Sequence, residues 1–317
     1  MAAIVTESLT KSYGRGGSAI HRGSEVLALQ DLSIEVTEGE IFGFLGPNGA
    51  GKSTAIRLLL GFLHPTAGSA TVLGRDIATD NEEIRRRTGY LPGGIAFYDS
   101  MTGAEELKYL AELGGRPAPL RDELVERLEL SRRDLGRQIR DYSRGMRQKV
   151  GIIQAFQSDP ELAILDEPTE GLDPLMQRAF YEILEDRQHA GRTVFFSSHV
   201  LSEVERVCDR VAIVRRGRLV ALTDIGELLM RRRRRVEVRY DGRAPRLDGV
   251  AGVSEIRAHE GLLTCQLEGE PGPLIAALGE ASVRDLLIEP ARLEEAFMEY
   301  YADDATDGAS GEAEATS

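Results

Sequence analysis

Tryptophan is absent from this chain, and cysteine occurs only twice, at Cys208 and Cys265. Two thiols so far apart, with no CxxC pair, supply neither a zinc cluster nor a disulfide framework, which fits a reducing compartment. Both are expected to be ordinary part-buried thiols. Long hydrophobic runs are missing as well: none approaches the ~18–20 residues that span a bilayer, and Met1-Ala2-Ala3-Ile4 opens into strand-like text rather than a signal peptide. A cytosolic chain is expected. Positive charge is in the minority, with 39 Lys and Arg against 52 Asp and Glu and a formal net charge of −13. That balance argues against broad nucleic-acid binding, so no nucleic-acid partner is expected. What is present is ample: 317 residues, 42% of them hydrophobic, can build two cores.

From residue 2 to about 227 short apolar strands alternate with helical segments, the pattern of an α/β layered domain. Ala2 to Leu9 and Leu32, Ile34 and Val36 show period-two spacing, which predicts half-buried antiparallel strands joined by a glycine-rich loop from Gly14 to Ser24. Leu162 to Leu165, Thr193 to Ser197 and Val211 to Val214 are continuous apolar runs, expected of parallel strands covered on both faces. Between Tyr98 and Leu135 two amphipathic stretches predict a small helical insert. The run Arg231 to Arg235, read as a solvated helix end, abuts a new period-two stretch, so a boundary is placed at 227/228. Over 228–301 the expected order is strand (235–240), short helix, strand (253–258), strand (261–267), helix (272–279), strand (282–288) and amphipathic helix (290–301). That order suggests a small α+β domain of ferredoxin-like type. The acidic, small-residue segment 302–317 is expected to be a disordered tail.

Chemistry concentrates in Gly46-Pro47-Asn48-Gly49-Ala50-Gly51-Lys52-Ser53, which fits GxxxxGK[ST] between an apolar strand, Ile41 to Leu45, and a helix expected from Ser53 to Leu63. Glycines let such a loop curl until its N–H groups converge on phosphate oxygens, aided by the positive end of the helix. Lys52 then supplies a full charge to the β- and γ-phosphates, and Ser53, with Thr54 behind it, a hydroxyl for Mg²⁺. Downstream, Leu162 to Asp166 followed by Glu167 places two carboxylates at the C-terminal end of an apolar strand, where open α/β sheets hold ligands. Asp166 suits Mg²⁺, and Glu167 is placed to polarise a water for attack on a γ-phosphate. Before that strand, Ser143-Arg144-Gly145-Met146 opens a helix whose Ser hydroxyl and Gly N–H can form a second anion cradle.

In this order the motifs resemble the nucleotide-binding subunit of ATP-binding cassette (ABC) transporters over residues 2 to about 225. GPNGAGKS is similar to the family's Walker A, LAILDE to its Walker B and YSRGMRQK to its signature. Thr169 to Asp173 resembles the D-loop, with Asp173 in the matching place. His199, after TVFFSS, resembles the switch histidine that contacts the γ-phosphate, and Tyr13 the aromatic residue that stacks on adenine. The resemblance implies a P-loop ATPase domain with a helical insert and an antiparallel β subdomain, ATP and Mg²⁺ as cofactors, and Glu167 and His199 as catalytic residues. It also implies a head-to-tail homodimer, in which Ser143 to Met146 of one copy contact ATP held by the other.

The C-terminal text, RGRLVALTDIGELL and LEEAFMEYY, resembles the daunorubicin-type multidrug exporter branch. Those are ATPases that pair with a separate multi-span permease, which places the chain peripherally on the cytoplasmic face of the membrane. The loop from Gly94 to Thr102, with Phe97 and Tyr98, is the expected permease contact. Two departures stand out: Tyr142 and Arg144 replace the usual Leu and Gly of the signature, and Gly93 replaces the Q-loop Gln. A soluble ABC ATPase of DNA repair, chromosomes or translation is the rival reading. It lacks its zinc cysteines, its heptads and its second cassette here. For a P-loop small-molecule kinase, the signature, D-loop and His199 would have no role.

Overall fold

The computed structural model describes residues 1–14, 26–226, 233–279 and 281–289. The chain divides between Thr223 and Asp224 into two units, a few residues ahead of the 227/228 expectation, because an edge strand ends at Asp224. The helix expected over 290–301, the tail from Ala302 and nearly all of the Gly14 to Ser24 connection lie outside the described residues.

In the first unit, β1 (Ala2–Tyr13), β2 (Val26–Thr37) and β3 (Ile41–Leu45) lead into α1 (Lys52–Leu59), followed by β4 (Ala67–Val72), β5 (Arg75–Asp76), α2 (Asn81–Arg87) and β6 (Thr88–Leu91). A helical insert holds α3 (Gly103–Gly114), α4 (Arg121–Arg127) and α5 (Arg132–Leu135). A 3-10 turn at Ile139–Asp141 then precedes α6 (Arg144–Phe156). The unit closes with β7 (Leu162–Asp166), α7 (Pro174–His189), β8 (Thr193–Ser198), α8 (Leu201–Val207), β9 (Arg210–Arg215) and β10 (Arg218–Asp224). One antiparallel sheet has the order β2-β1-β4-β5, and a six-stranded sheet the order β10-β9-β3-β8-β7-β6.

Sequence pattern explains both sheets. Every residue of β3, β7 and β8 is buried, as continuous apolar strands in the middle of a parallel sheet must be. Their mutual pairings are parallel, and Phe42, Phe44 and Phe195 stack across β3 and β8 with ring centroids 5.9 and 5.2 Å apart. β2 alternates buried and exposed residues along its second half, the signature of a sheet with one wet face. Helix α1 ends at Leu59, short of the expected Leu63. Gly61 takes φ +67° and Phe62 N donates back to the Arg57 carbonyl at 2.8 Å. A left-handed glycine therefore ends this helix before Pro65 is reached.

The second unit holds β11 (Arg233–Tyr240), β12 (Val253–His259), β13 (Leu262–Glu268), α9 (Gly272–Leu278) and β14 (Val283–Glu289). Its order β12-β13-β11-β14, with all pairs antiparallel, is that of a ferredoxin-like sheet. Two expectations need correction. The short helix after β11 is absent: residues 241–249 form turns in which Gly242 and Gly249 have positive φ. Pro245 and Leu247 are buried there, so two side chains fill the space of a helix. The arginines from Arg233 begin a strand rather than end a helix.

The helical insert is fixed to the α6 region through Tyr142, which is buried and donates its hydroxyl to the Asp134 carbonyl at 2.7 Å. A Cβ on Gly103 would lie 2.2 Å from that oxygen. Gly103→Ala is therefore expected to destabilise the first unit by about 1–3 kcal/mol, as overpacking does, read as a fall in urea midpoint. The same change in a Tyr142→Leu background should cost far less, and equal costs in both backgrounds would refute the steric link.

Candidate functional site

At the C-terminal edge of the parallel sheet, the loop between β3 and α1 wraps around the Lys52 ammonium. Lys52 Nζ donates to the carbonyls of Gly46 at 2.6 Å and Pro47 at 3.3 Å, and it lies 3.0 Å from Glu167 Oε1. The loop needs glycine at 51: its φ is +103° and a Cβ would sit 2.5 Å from the Ala28 carbonyl. A tight hairpin turn braces the loop from behind. Arg216 and Gly217, both at positive φ, connect β9 to β10 as such turns require. Gly217 N donates to the Ala50 carbonyl at 2.9 Å, and its own carbonyl accepts from Gln30 N at 2.7 Å.

The two carboxylates at the end of β7 face different partners. Asp166, 5% exposed, accepts from Ser53 Oγ at Oδ2 and from Ser197 Oγ at Oδ1, both at 2.7 Å. Glu167 takes φ +52°, a left-handed conformation that costs a non-glycine residue about 1 kcal/mol. Its backbone N donates to the Ser197 carbonyl at 3.2 Å. The turn aims its side chain back over the loop, where Oε1 meets Lys52 and Oε2 lies 2.7 Å from His199 Nδ1. A carboxylate so placed is bracketed by a cation and an imidazole, which suits an acceptor of a water proton.

A cavity of about 560 Å³ opens beside this cluster, lined among others by Val26, Leu27, Asn48, Lys52, Thr54 and Asp166. Apolar side chains at one end and phosphate-type donors at the other fit a nucleotide. Tyr13 is not among the lining residues; β-pairing places it opposite Val26, and Val26 and Leu27, both largely exposed, present the apolar surface instead. Gly93 borders the cavity, and a Cβ there would meet Asp166 Oδ2 at 3.2 Å. Asp99 does not fill the role of the missing Gln side chain, because it pairs with Arg147 at 3.1 Å and lies outside the lining.

The residues from Ser143 to Met146 and Asp173 are likewise outside that cavity. Ser143 caps α6, its hydroxyl accepting from Met146 N at 3.2 Å. Arg144 pairs with Glu170, and a Cβ on Gly145 would lie 2.9 Å from the Gly171 carbonyl. The start of α6 thus rests directly on the Thr169 to Asp173 loop. Asp173 caps α7, accepting from Leu175 N and Met176 N at 3.0 and 3.1 Å. Two residues escaped the sequence reading. Ser197 stood only as strand text, and its position on β8 opposite Asp166 was the signal available; Glu203, described below, gave none.

No helix among the described residues is long and apolar enough to cross a membrane, and no group of three or more of their His, Cys, Asp and Glu side chains is arranged to hold a metal ion. Residues 29–170 match the family model described as ABC transporter. The chain is 42% identical over 233 residues to an uncharacterized ABC transporter ATP-binding protein of Nostoc sp., covering 72% of this chain and 68% of that protein. It is 37% identical over 243 residues to a fluoroquinolones export ATP-binding protein of Mycobacterium tuberculosis, covering 74% and 80% of the two chains. A solved structure of the ATP binding subunit of an ABC transporter superposes with a TM-score of 0.62 at 31% identity, over 71% of this chain and 91% of that one.

Deleting the one full charge inside the loop should be felt first in nucleotide affinity. Lys52→Ala is expected to weaken binding of a fluorescent ATP analogue by about tenfold to a hundredfold, the worth of a charged hydrogen bond. Equilibrium titration checks this, and unchanged affinity would remove Lys52 from the site.

Proposed function

The chain belongs to the ATP-binding, ATP-hydrolysing subunits of ABC transporters, and from that premise we propose that it powers export of a drug-like or other small molecule through a separate multi-span permease. The carrying observation is the convergence of Lys52, Ser53, Asp166 and Glu167 on one cavity, with His199 held against Glu167 outside its lining. Relatives named for export support the direction of transport, and the missing membrane helix among the described residues is consistent with a separate permease. The chain would act at the cytoplasmic face of the membrane.

Hydrolysis follows from these contacts. Lys52 donates to the carbonyls of Gly46 and Pro47 and forms an ion pair with Glu167. A phosphate entering the loop takes Lys52 from Glu167, so nucleotide binding frees the carboxylate. Glu167 then accepts a proton from water as the water oxygen bonds to the γ-phosphorus and the β–γ bridging bond breaks, giving ADP and phosphate. His199 holds Glu167 from the other side, and in this reading donates to the phosphate. Ser53 and Asp166 supply hard oxygen donors suited to Mg²⁺, which keeps several waters and binds through one or two carboxylates plus substrate phosphates. When bound, that ion neutralises charge on the β- and γ-phosphates. Gly93 has no side-chain oxygen to offer such an ion.

The second anion cradle supports a head-to-tail homodimer. Ser143 and Arg144 are exposed at the start of a thirteen-residue helix, outside their own chain's cavity, where a second copy's nucleotide can meet them. Permease contact is assigned to the loop carrying Phe97 and Tyr98. Tyr98 is 55% exposed and stands edge-on to Tyr109 of α3 with centroids 5.6 Å apart, a rigid aromatic suited to a partner helix.

Glu167→Gln is expected to bind ATP more tightly than the parent, since Lys52 no longer has a carboxylate to leave, while phosphate release falls by at least about a hundredfold. ATP-dependent dimers should accumulate on size-exclusion chromatography. Parental hydrolysis in that variant would place the base elsewhere. Replacing Phe97 and Tyr98 together by Ala should leave basal ATPase near parental and abolish co-purification with the co-expressed membrane subunit. Joint loss of ATPase and soluble fold would instead make the pair a core element.

A further inference from the structure

Glu203, on α8, is buried yet has no cation within ion-pair distance among the described residues. Its two oxygens are each used once: Oε1 accepts from Thr169 Oγ1 and Oε2 from Ser198 Oγ, both at 2.6 Å. Thr169 follows Glu167 by two residues, and Ser198 immediately precedes His199. Both hydroxyls are buried. One carboxylate from a third element therefore grips the two connections that carry the reacting pair.

Its position relative to the sheet gives this grip a purpose. The β7–β8 ladder ends with Asp166 opposite Ser197, and one further backbone bond joins Glu167 N to the Ser197 carbonyl. Beyond that point no strand pairing sets the distance between the two connections, and Glu203 bridges them where pairing stops. The same segments are tied on their outer sides. Pro168 O accepts from Gln148 Nε2 of α6 at 2.6 Å, and Ser198 O accepts from Gly46 N at 3.2 Å. A helix packing on β3 and β8 could fill this place with an apolar side chain and avoid the desolvation cost of burying a carboxylate. A buried carboxylate with two short hydroxyl contacts instead fixes geometry.

We propose that Glu203 is a positioning residue for ATP hydrolysis, which holds Thr169 and Ser198 at a fixed separation and so keeps Glu167 and His199 within reach of each other. The inference rests on the assignment of Glu167 and His199 made above. It concerns turnover rather than nucleotide binding, because neither Thr169, Ser198 nor Glu203 lines the cavity.

Steady-state phosphate release, binding of a non-hydrolysable ATP analogue and thermal melting of the full chain test it together. Glu203→Ala is expected to lower kcat about tenfold or more, as small misplacements of reacting groups do, with the analogue's Kd unchanged. Glu203→Gln keeps the shape and one acceptor, and a hydroxyl can turn to accept from its amide, so it should recover most of the rate. Glu167→Gln and His199→Ala are measured alongside. Parental turnover in either of those two would overturn the site assignment itself, whereas their loss with parental kcat in Glu203→Ala would overturn only the role of Glu203. Equal losses in the Gln and Ala variants, or a loss of affinity with kcat retained, would also overturn it. Should Glu203→Ala fail to fold, Thr169→Val and Ser198→Ala each delete one hydroxyl; a lowered kcat with Kd kept in either supports the inference, and parental kcat in both refutes it.

Discussion

An ammonium buried under a loop has to be neutralised, and the way Lys52 is neutralised organises the rest of this site. Two loop carbonyls accept its protons and Glu167 balances its charge, so the phosphate-binding charge and the proposed base are held by each other. The arrangement demands that the end of β7 turn back over the loop, which Glu167 does at the cost of a left-handed backbone. It demands that Asp166, one residue earlier, point the other way into Ser53 and Ser197. The left-handed turn just past the end of β7 thus sends two adjacent carboxylates to two different partners.

Around that pair the protein is tied with side-chain contacts rather than with extra sheet. Gln148 reaches from α6 to Pro168, Glu203 from α8 to Thr169 and Ser198, and Arg144 from the start of α6 to Glu170. The start of α6 therefore touches the loop after β7, and that loop touches the connection bearing His199. Surface pairs such as Arg144 with Glu170 are worth ~0–1 kcal/mol. The buried contacts of Gln148 and Glu203 are of another kind, because leaving either group unmet would strand a polar atom in the interior.

Much of this was legible in the sequence where chemistry is written in consecutive residues. The loop from Gly46 to Ser53, the Asp166-Glu167 pair and the Ser143 cap each carry their own spacing and flanking pattern, and all lie on the elements that those patterns implied. The parallel strands were legible because burial on both faces leaves an unbroken apolar run. What escaped depends on partners distant in the chain. Ser197 and Glu203 act on residues 31 and 34 positions away, and nothing local marks them. The end of α1 was missed because Gly61 was outweighed by the more conspicuous Pro65, and the absent helix of the second unit because Pro245 and Leu247 can plug a core alone. Tyr13 lies outside the cavity lining, whereas Val26, paired opposite it, is part of that lining.

The Arg216-Gly217 turn has a consequence for how the protein is made. Its amide holds the Ala50 carbonyl, and β9, the strand leading into it, pairs with β3. The phosphate loop is synthesised early, yet its brace is among the last parts of the first unit to leave the ribosome. Chain emerges at about 5–20 residues per second, so the loop waits on the order of ten seconds or more for the turn that supports it. During that interval β3 also lacks β8, its partner on the other side. Until the Arg216-Gly217 turn has emerged, the nucleotide motif lacks the brace and the strand partners that shape it in the folded unit.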